Sequence, residues 1–300
     1  MTRRVWVSGA VGATAILAAV LQLVAAAPAA TDIPWIVFSA HPEGTALQQL
    51  FRVQSNGQGL QQISKGTRPA TDPAFSPDGN RIVFVRLGRG VFTIGLDGAN
   101  EKRLTKNGRD SYPAWSPDGK QIAFLRPYKQ QWTVFVVSAT GARLHRLALA
   151  PPSGRPAWSK DGKLLFLPTV ADISRVDPRT GSIKGRVDIH AELVSSTAAA
   201  VSPDGRSLAY IGRRPLTGPA DCGESPCPMF ALYLVSNGRR KPLKIANGTG
   251  PATWLPDGKT IIYVTGGKLV LTTLPGGKSS TIPVDEHLLA GDAPPAWQPR

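Results

Sequence analysis

The chain has 300 residues, 42% of them hydrophobic and 18% charged, with a formal net charge of +15. That is enough apolar material for one large domain or two modest ones. Glycine and proline (31 and 27 residues) stay below the share that marks low complexity, and two cysteines exclude a disulfide-dense scaffold.

Taken in chain order, the first element is a basic start, "MTRR", followed by the apolar run Val5–Ala27 and the small residues "APAA" at Ala27–Ala30. This pattern predicts a secretory signal over 1–29, with cleavage near Ala29. The alternative is an uncleaved anchor, because the apolar run reaches the roughly 20 residues that span a bilayer. Under either reading Arg3 and Arg4 hold the start inside and place the remainder outside the cytoplasm. Removal of the signal takes those two arginines and no acid, so the net charge falls by two to +13. The basic residues are scattered, with no basic helix or aromatic-interleaved basic strip, so nucleic acid is not an expected partner.

The segment 30–300 reads as a repeat. "DPAFSPDG" occurs at Asp72–Gly79, "YPAWSPDG" at Tyr112–Gly119, "RPAWSKDG" at Arg155–Gly162, "AAAVSPDG" at Ala198–Gly205 and "ATWLPDG" at Ala252–Gly258, and "PPAWQP" closes the series at Pro294–Pro299. The aligned positions Phe75, Trp115, Trp158, Val201, Trp254 and Trp297 lie 40, 43, 43, 53 and 43 residues apart. A fixed period of about 40–45 residues, each unit holding several short strands, predicts propeller blades. Within a unit, Ser-Pro-Asp-Gly has the residue preferences of a type I turn, so Asp78, Asp118, Asp161, Asp204 and Asp257 are read as turn residues. Strand-like runs follow, such as "QIAFLR" and "WTVFVVS", with a hairpin turn and a last short strand.

The ends complete the scheme. Pro34–Ser64 has the last three strands of a unit without its first, and "PPAWQP" is that first strand alone. Joined, they make a composite blade, so the expected fold is all-β: a six-bladed propeller of four-stranded blades, closed by pairing the C-terminal strand with the N-terminal blade. The long spacing marks an insertion at 213–229 that holds Cys222 and Cys227, read as a disulfide pinning a loop.

The repeat "PAWSPDG…IAF…VFVVS…G…RL" resembles the six-bladed TolB-type propeller, with its WD-repeat-like units, over essentially Ile33–Arg300. In that family an α/β domain precedes the propeller; here the repeats start within a few residues of the expected signal. The resemblance implies fold more than activity, and it implies an envelope role through contact with a partner protein. No G-x-S-x-G elbow of the related peptidases occurs.

Candidate site residues follow from the topology. The crossings from an outer strand to the next inner strand surround one mouth of the channel, and they place Arg68, Asp72, Arg109, Asp110, Arg155 and Asp292 around it. His41, His145, His190 and His287 lie in different blades without metal-ligand spacing, so neither a metal site nor a cofactor is expected. Asn247-Gly248-Thr249 matches a glycosylation sequon. The expectation is an exported, non-enzymatic and monomeric binding module. It recognises an envelope protein or cell-wall polymer and touches membrane only through an uncleaved N-terminal segment. The alternative is an extracytoplasmic lyase or hydrolase with a polar or metal site at the channel mouth.

Overall fold

In a computed structural model of the chain, the described residues are 33–147, 152, 154–169, 172–188, 199–213, 230–236, 243–247, 250–274, 277–284 and 294–299. The expected signal over 1–29, Cys222 and Cys227 with most of the insertion, His190, His287 and Asp292 lie outside them.

The described residues form six four-stranded antiparallel sheets and no helix. The first sheet joins β1 (Trp35–Ala40), β2 (Gln49–Gln54) and β3 (Gln61–Gln62) to β24 (Ala296–Trp297). The second holds β4 (Ala70–Phe75), β5 (Arg81–Arg86), β6 (Gly90–Gly95) and β7 (Lys102–Arg103). The third holds β8 (Ser111–Trp115), β9 (Gln121–Tyr128), β10 (Gln131–Ser138) and β11 (His145–Arg146). The fourth holds β12 (Ala157–Trp158), β13 (Leu165–Pro168), β14 (Asp172–Val176) and β15 (Ile183–Asp188). The fifth holds β16 (Ala200–Val201), β17 (Ser207–Arg213), β18 (Phe230–Ser236) and β19 (Leu243–Asn247). The sixth holds β20 (Thr253–Trp254), β21 (Thr260–Thr265), β22 (Lys268–Thr273) and β23 (Ser279–Ile282).

The composite blade is present. Ile36 pairs with Trp297 and Val37 with Ala296. Gln298 extends the seam: its N–H donates to Trp35 O at 2.8 Å, and its Oε1 accepts from Trp35 N at 3.0 Å. Its Nε2 also donates to Gly79 O at 3.0 Å, tying the seam to the turn of the second blade.

The second strands read as near-continuous apolar runs because both faces are covered. In β5, Ile82 and Phe84 pack toward the first blade, whereas Val83 packs toward the third. Six apolar clusters result, each spanning two adjacent blades. The last unites Leu255, Ile262 and Val264 of the sixth blade with Ile36, Phe38 and Val53 of the first, which completes the ring. At about 25 cal/mol per Å² of apolar surface, such repeated burial dominates stability. The motif's large residue belongs to these interfaces: Phe75, Trp115, Trp158 and Val201 are each at most 9% exposed. Indole N–H groups add direct links, from Trp158 to Ala114 O at 3.1 Å and from Trp254 to Ala200 O at 2.9 Å.

Three outer strands, β3, β7 and β11, are only two residues long. Within "EKRLT" the strand is Lys102–Arg103, continued by Leu104 N–H donating to Val91 O at 2.8 Å. Within the described part of "RLHRLAL" it is His145–Arg146, continued by Leu147 N–H donating to Val134 O at 2.9 Å. They lie at a sheet edge, and short edge strands limit edge-to-edge association.

Candidate functional site in the channel

The first strands of all six blades face one another across a central cavity of about 340 Å³. Each strand has two unlike ends. At one end is the Ser-Pro-Asp-Gly turn, where Gly79 N donates to Ser76 O at 2.9 Å and Asp78 Oδ1 accepts from Asn80 N at 3.1 Å. Ser76 Oγ donates to Asp78 Oδ1 at 2.5 Å and accepts from Arg81 N at 2.9 Å. The same bonds recur around Ser116 and Asp118, Ser159 and Asp161, and Ser202 and Asp204. In the sixth blade Leu255 replaces the serine, and Asp257 instead takes the N–H groups of Lys259 and Thr260 and the Thr260 hydroxyl. The closing glycines adopt φ of +64° to +71°, a left-handed conformation that costs glycine little. Hydrogen bonds, from Ser76 and Ser116 first, hold Asp78 and Asp118 below the usual carboxylate range. Pro77, Pro203, Pro256 and Pro299 give this end of the cavity an apolar rim.

The other end is the mouth, where the residue before Pro-Ala sets the chemistry. In three consecutive blades that residue is Asp72, Tyr112 and Arg155, and all three line the cavity. At the aligned position the sixth and first blades have Pro251 and Pro294, of which Pro294 lines the cavity, and Ala198 lies outside the described residues. The mouth is therefore polar on one side and apolar on the described part of the other. Asp72 and Tyr112 sit at register shifts, with φ of +53° and +52°. A left-handed non-glycine residue costs of order 1–3 kcal/mol, and such strain collects where a side chain is re-aimed for use.

Within this cluster Asp72 Oδ2 accepts from Tyr112 N at a long 3.4 Å. The Arg155 guanidinium lies 5.1 Å from the centre of the Tyr112 ring. Asp72 and Arg155 do not appear among the ion pairs within 4.0 Å that the described residues form. Both are half-buried by surface yet walled in by the channel. Burial raises Asp72 above the usual carboxylate range, against the opposing pull of Arg155 and the Tyr112 N–H. Burial likewise lowers Arg155, offset by Asp72 and Tyr112, but a guanidinium keeps its charge.

The remaining mouth candidates do not form one ring with these. Arg68 and Arg109 are exposed on their loops. Asp110 is only 2% exposed, and its oxygens accept from Arg126 Nε at 2.6 Å and Nη2 at 2.9 Å. The Thr105 hydroxyl also donates to it. Asp110 is thus the buried half of an ion pair rather than a charge facing the mouth. Two features escaped the sequence reading: Tyr112, and a matching ion pair in which Arg86 grips Glu101 at 2.6 and 2.5 Å. Register was the available signal, since Arg86 and Arg126 hold equivalent positions of β5 and β9 40 residues apart, as do Asp72 and Tyr112 on β4 and β8. His145 lies on β11, its Nε2 3.2 Å from Pro178 O. Among the described residues no group of three or more His, Cys, Asp or Glu is spaced to hold a metal ion.

A family model described as the TolB beta propeller domain matches residues 25–162. TolB from Acinetobacter baumannii is similar in structure, with a TM-score of 0.69 at 18% identity over 89% of this chain and 67% of that one. A chain of a nidogen/laminin complex gives 0.62 at 11% identity over 88% of this chain and 98% of that one. A putative TolB from Agrobacterium tumefaciens gives 0.53 at 15% identity, covering 83% and 87%. No curated protein matches by sequence. The fold is a six-bladed propeller of the TolB type.

Proposed function

We propose that this propeller is an exported, non-enzymatic module that binds a protein of the cell envelope at the mouth of its channel. The carrying observation is the one-sided cluster of Asp72, Tyr112 and Arg155 in an otherwise apolar cavity. Polar groups set in an apolar concavity, on strained backbone held by a rigid ring, are the usual make-up of a recognition site. The secretory pattern at 1–29 supports an extracytoplasmic location, and the likeness to TolB propellers supports a protein partner. Arg68 and Arg109, exposed on the loops that precede β4 and β8, add positive charge that steers an acidic partner.

The test compares the full chain with an Asp72→Ala, Tyr112→Ala, Arg155→Ala variant. Both are immobilised and exposed to envelope extract, and each captured protein is then purified and its affinity for both forms measured. The reading expects a partner that binds the parent at least ~10-fold more tightly than the variant, with both melting cooperatively. Equal affinities for every captured protein overturn it.

A further inference from the structure

Among the arginines of this propeller that lie against aromatic rings, three invite comparison. Arg86 sits 5.3 Å from the centre of Phe84, Arg126 sits 4.7 Å from that of Phe135, and Arg155 sits 5.1 Å from that of Tyr112. In the first two, the Nε–Nη2 edge of the guanidinium is filled by both oxygens of a carboxylate, from Glu101 and Asp110. In Arg155 the same two nitrogens are buried and have no hydrogen-bond partner among the described residues. A buried donor on a charged group left unpaired is costly, and the planar fork suits two parallel bonds to a carboxylate. Asp72 does not supply them, because it lies two blades away with Tyr112 between.

We infer that the channel is a carboxylate receptor: Arg155 takes, through Nε and Nη2, the carboxylate of an acidic polypeptide segment that enters the mouth. This inference rests on the binding-module reading and specifies its ligand chemistry. The guanidinium turns from its resting place over Tyr112 to meet the ligand, while Arg68 and Arg109 add longer-range attraction from the exposed loops before β4 and β8. Asp72 opposes the incoming charge and so selects against segments that carry several acids close together. The walls favour a polypeptide over a sugar acid. Pro73, Pro113, Pro156 and Pro294 offer apolar surface and no N–H, which suits small apolar side chains and leaves ring hydroxyls unpaired.

The experiment titrates the full chain with four probes and follows the Arg155 Nε–H and Trp254 indole signals by ¹H–¹⁵N NMR. The probes are Ac-Ala-Glu-Ala-NH2, Ac-Ala-Pro-Ala with a free terminal carboxylate, Ac-Ala-Gln-Ala-NH2 and galacturonate. At least one carboxylate peptide should move the Arg155 Nε–H downfield, and the glutamine peptide should not. Whichever carboxylate peptide binds more tightly identifies a side chain or a chain end as the source. Arg155→Gln should weaken that peptide at least ~10-fold at the Trp254 signal, and Arg155→Lys should restore only part of the loss. Asp72→Asn should tighten it about threefold by removing the opposing charge. All three single variants keep the remaining spectrum, which separates lost binding from lost fold. Equal binding of the glutamine peptide, or unchanged affinity in Arg155→Gln, overturns the inference. Tighter binding of galacturonate than of either peptide overturns the polypeptide as ligand. A partner lost in the triple variant yet not displaced by the carboxylate peptides would sink this inference alone and leave the binding-module reading standing.

Discussion

The two ends of each inner strand are the same few residues apart in sequence and opposite in character. At the turn end, four blades repeat one set of hydrogen bonds from serine and aspartate, and every closing glycine adopts nearly the same conformation. At the mouth end, neighbouring blades differ at the equivalent position: aspartate, tyrosine, arginine, proline. There the backbone is strained at two residues, and two side-chain nitrogens of a third lack partners. Uniform satisfaction marks the parts of a repeat that build the ring. Divergence together with strain and unmet hydrogen bonding marks the part freed for recognition.

This contrast can be broken by substitution. The largest effect is expected on the structural side: Trp158→Ala removes a buried indole and its bond to Ala114, and should cost about 3–5 kcal/mol in denaturant unfolding. Ser116→Ala strips the turn of a donor to Asp118 and an acceptor for Gln121 N, and should cost about 1–2 kcal/mol by the same measurement. The mouth should behave in the opposite way. Replacing both charges together, Arg155→Met with Asp72→Asn, leaves neither one alone and should hold stability or raise it by about 1 kcal/mol, while abolishing peptide binding. A loss of more than ~2 kcal/mol there would make the cluster part of the framework instead.

The smallest effect gives the sharpest comparison, because the two ends have opposite signs with pH. Asp118 has a folded pKa below its unfolded value, so its contribution is present above the unfolded value of about 3.9 and is lost as pH falls through the folded one. Asp72 has a raised folded pKa, so its contribution is complete below about 3.9 and is lost as pH rises through the folded value. Melting temperatures between pH 3 and pH 8 should therefore show Asp118→Asn flattening the acid side of the profile. Asp72→Asn should relieve the decline on the way up. Parallel profiles for the two variants would remove the distinction.

The ring was readable in the chain because turn chemistry is local. Ser-Pro-Asp-Gly dictates its own bonds within five residues, and the period then counts the blades. The seam was readable too, since Ile36 and Trp297 complete each other's missing strand. Less of the mouth could be read. Asp110 looked like a rim charge, but its partner Arg126 comes from the next strand and pulls it inward. Whether a polar residue near an opening is spent on a neighbour depends on pairing across strands, which composition and spacing do not encode. Tyr112 was hidden for a related reason: a bulge turns it into the cavity, and bulges follow from local register rather than from residue type.

The shared first blade also dictates an order of events. Trp35 and Gln298 are 263 positions apart, whereas the other blades draw their strands from single units. A polypeptide delivered from its N-terminus can raise its inner sheets one after another, but β1 must wait with an open edge until Trp297 arrives. The residues around Trp297 act as the latch of the ring. Lengthening the segment between Ile282 and Ala296 should thus slow maturation without changing the finished molecule.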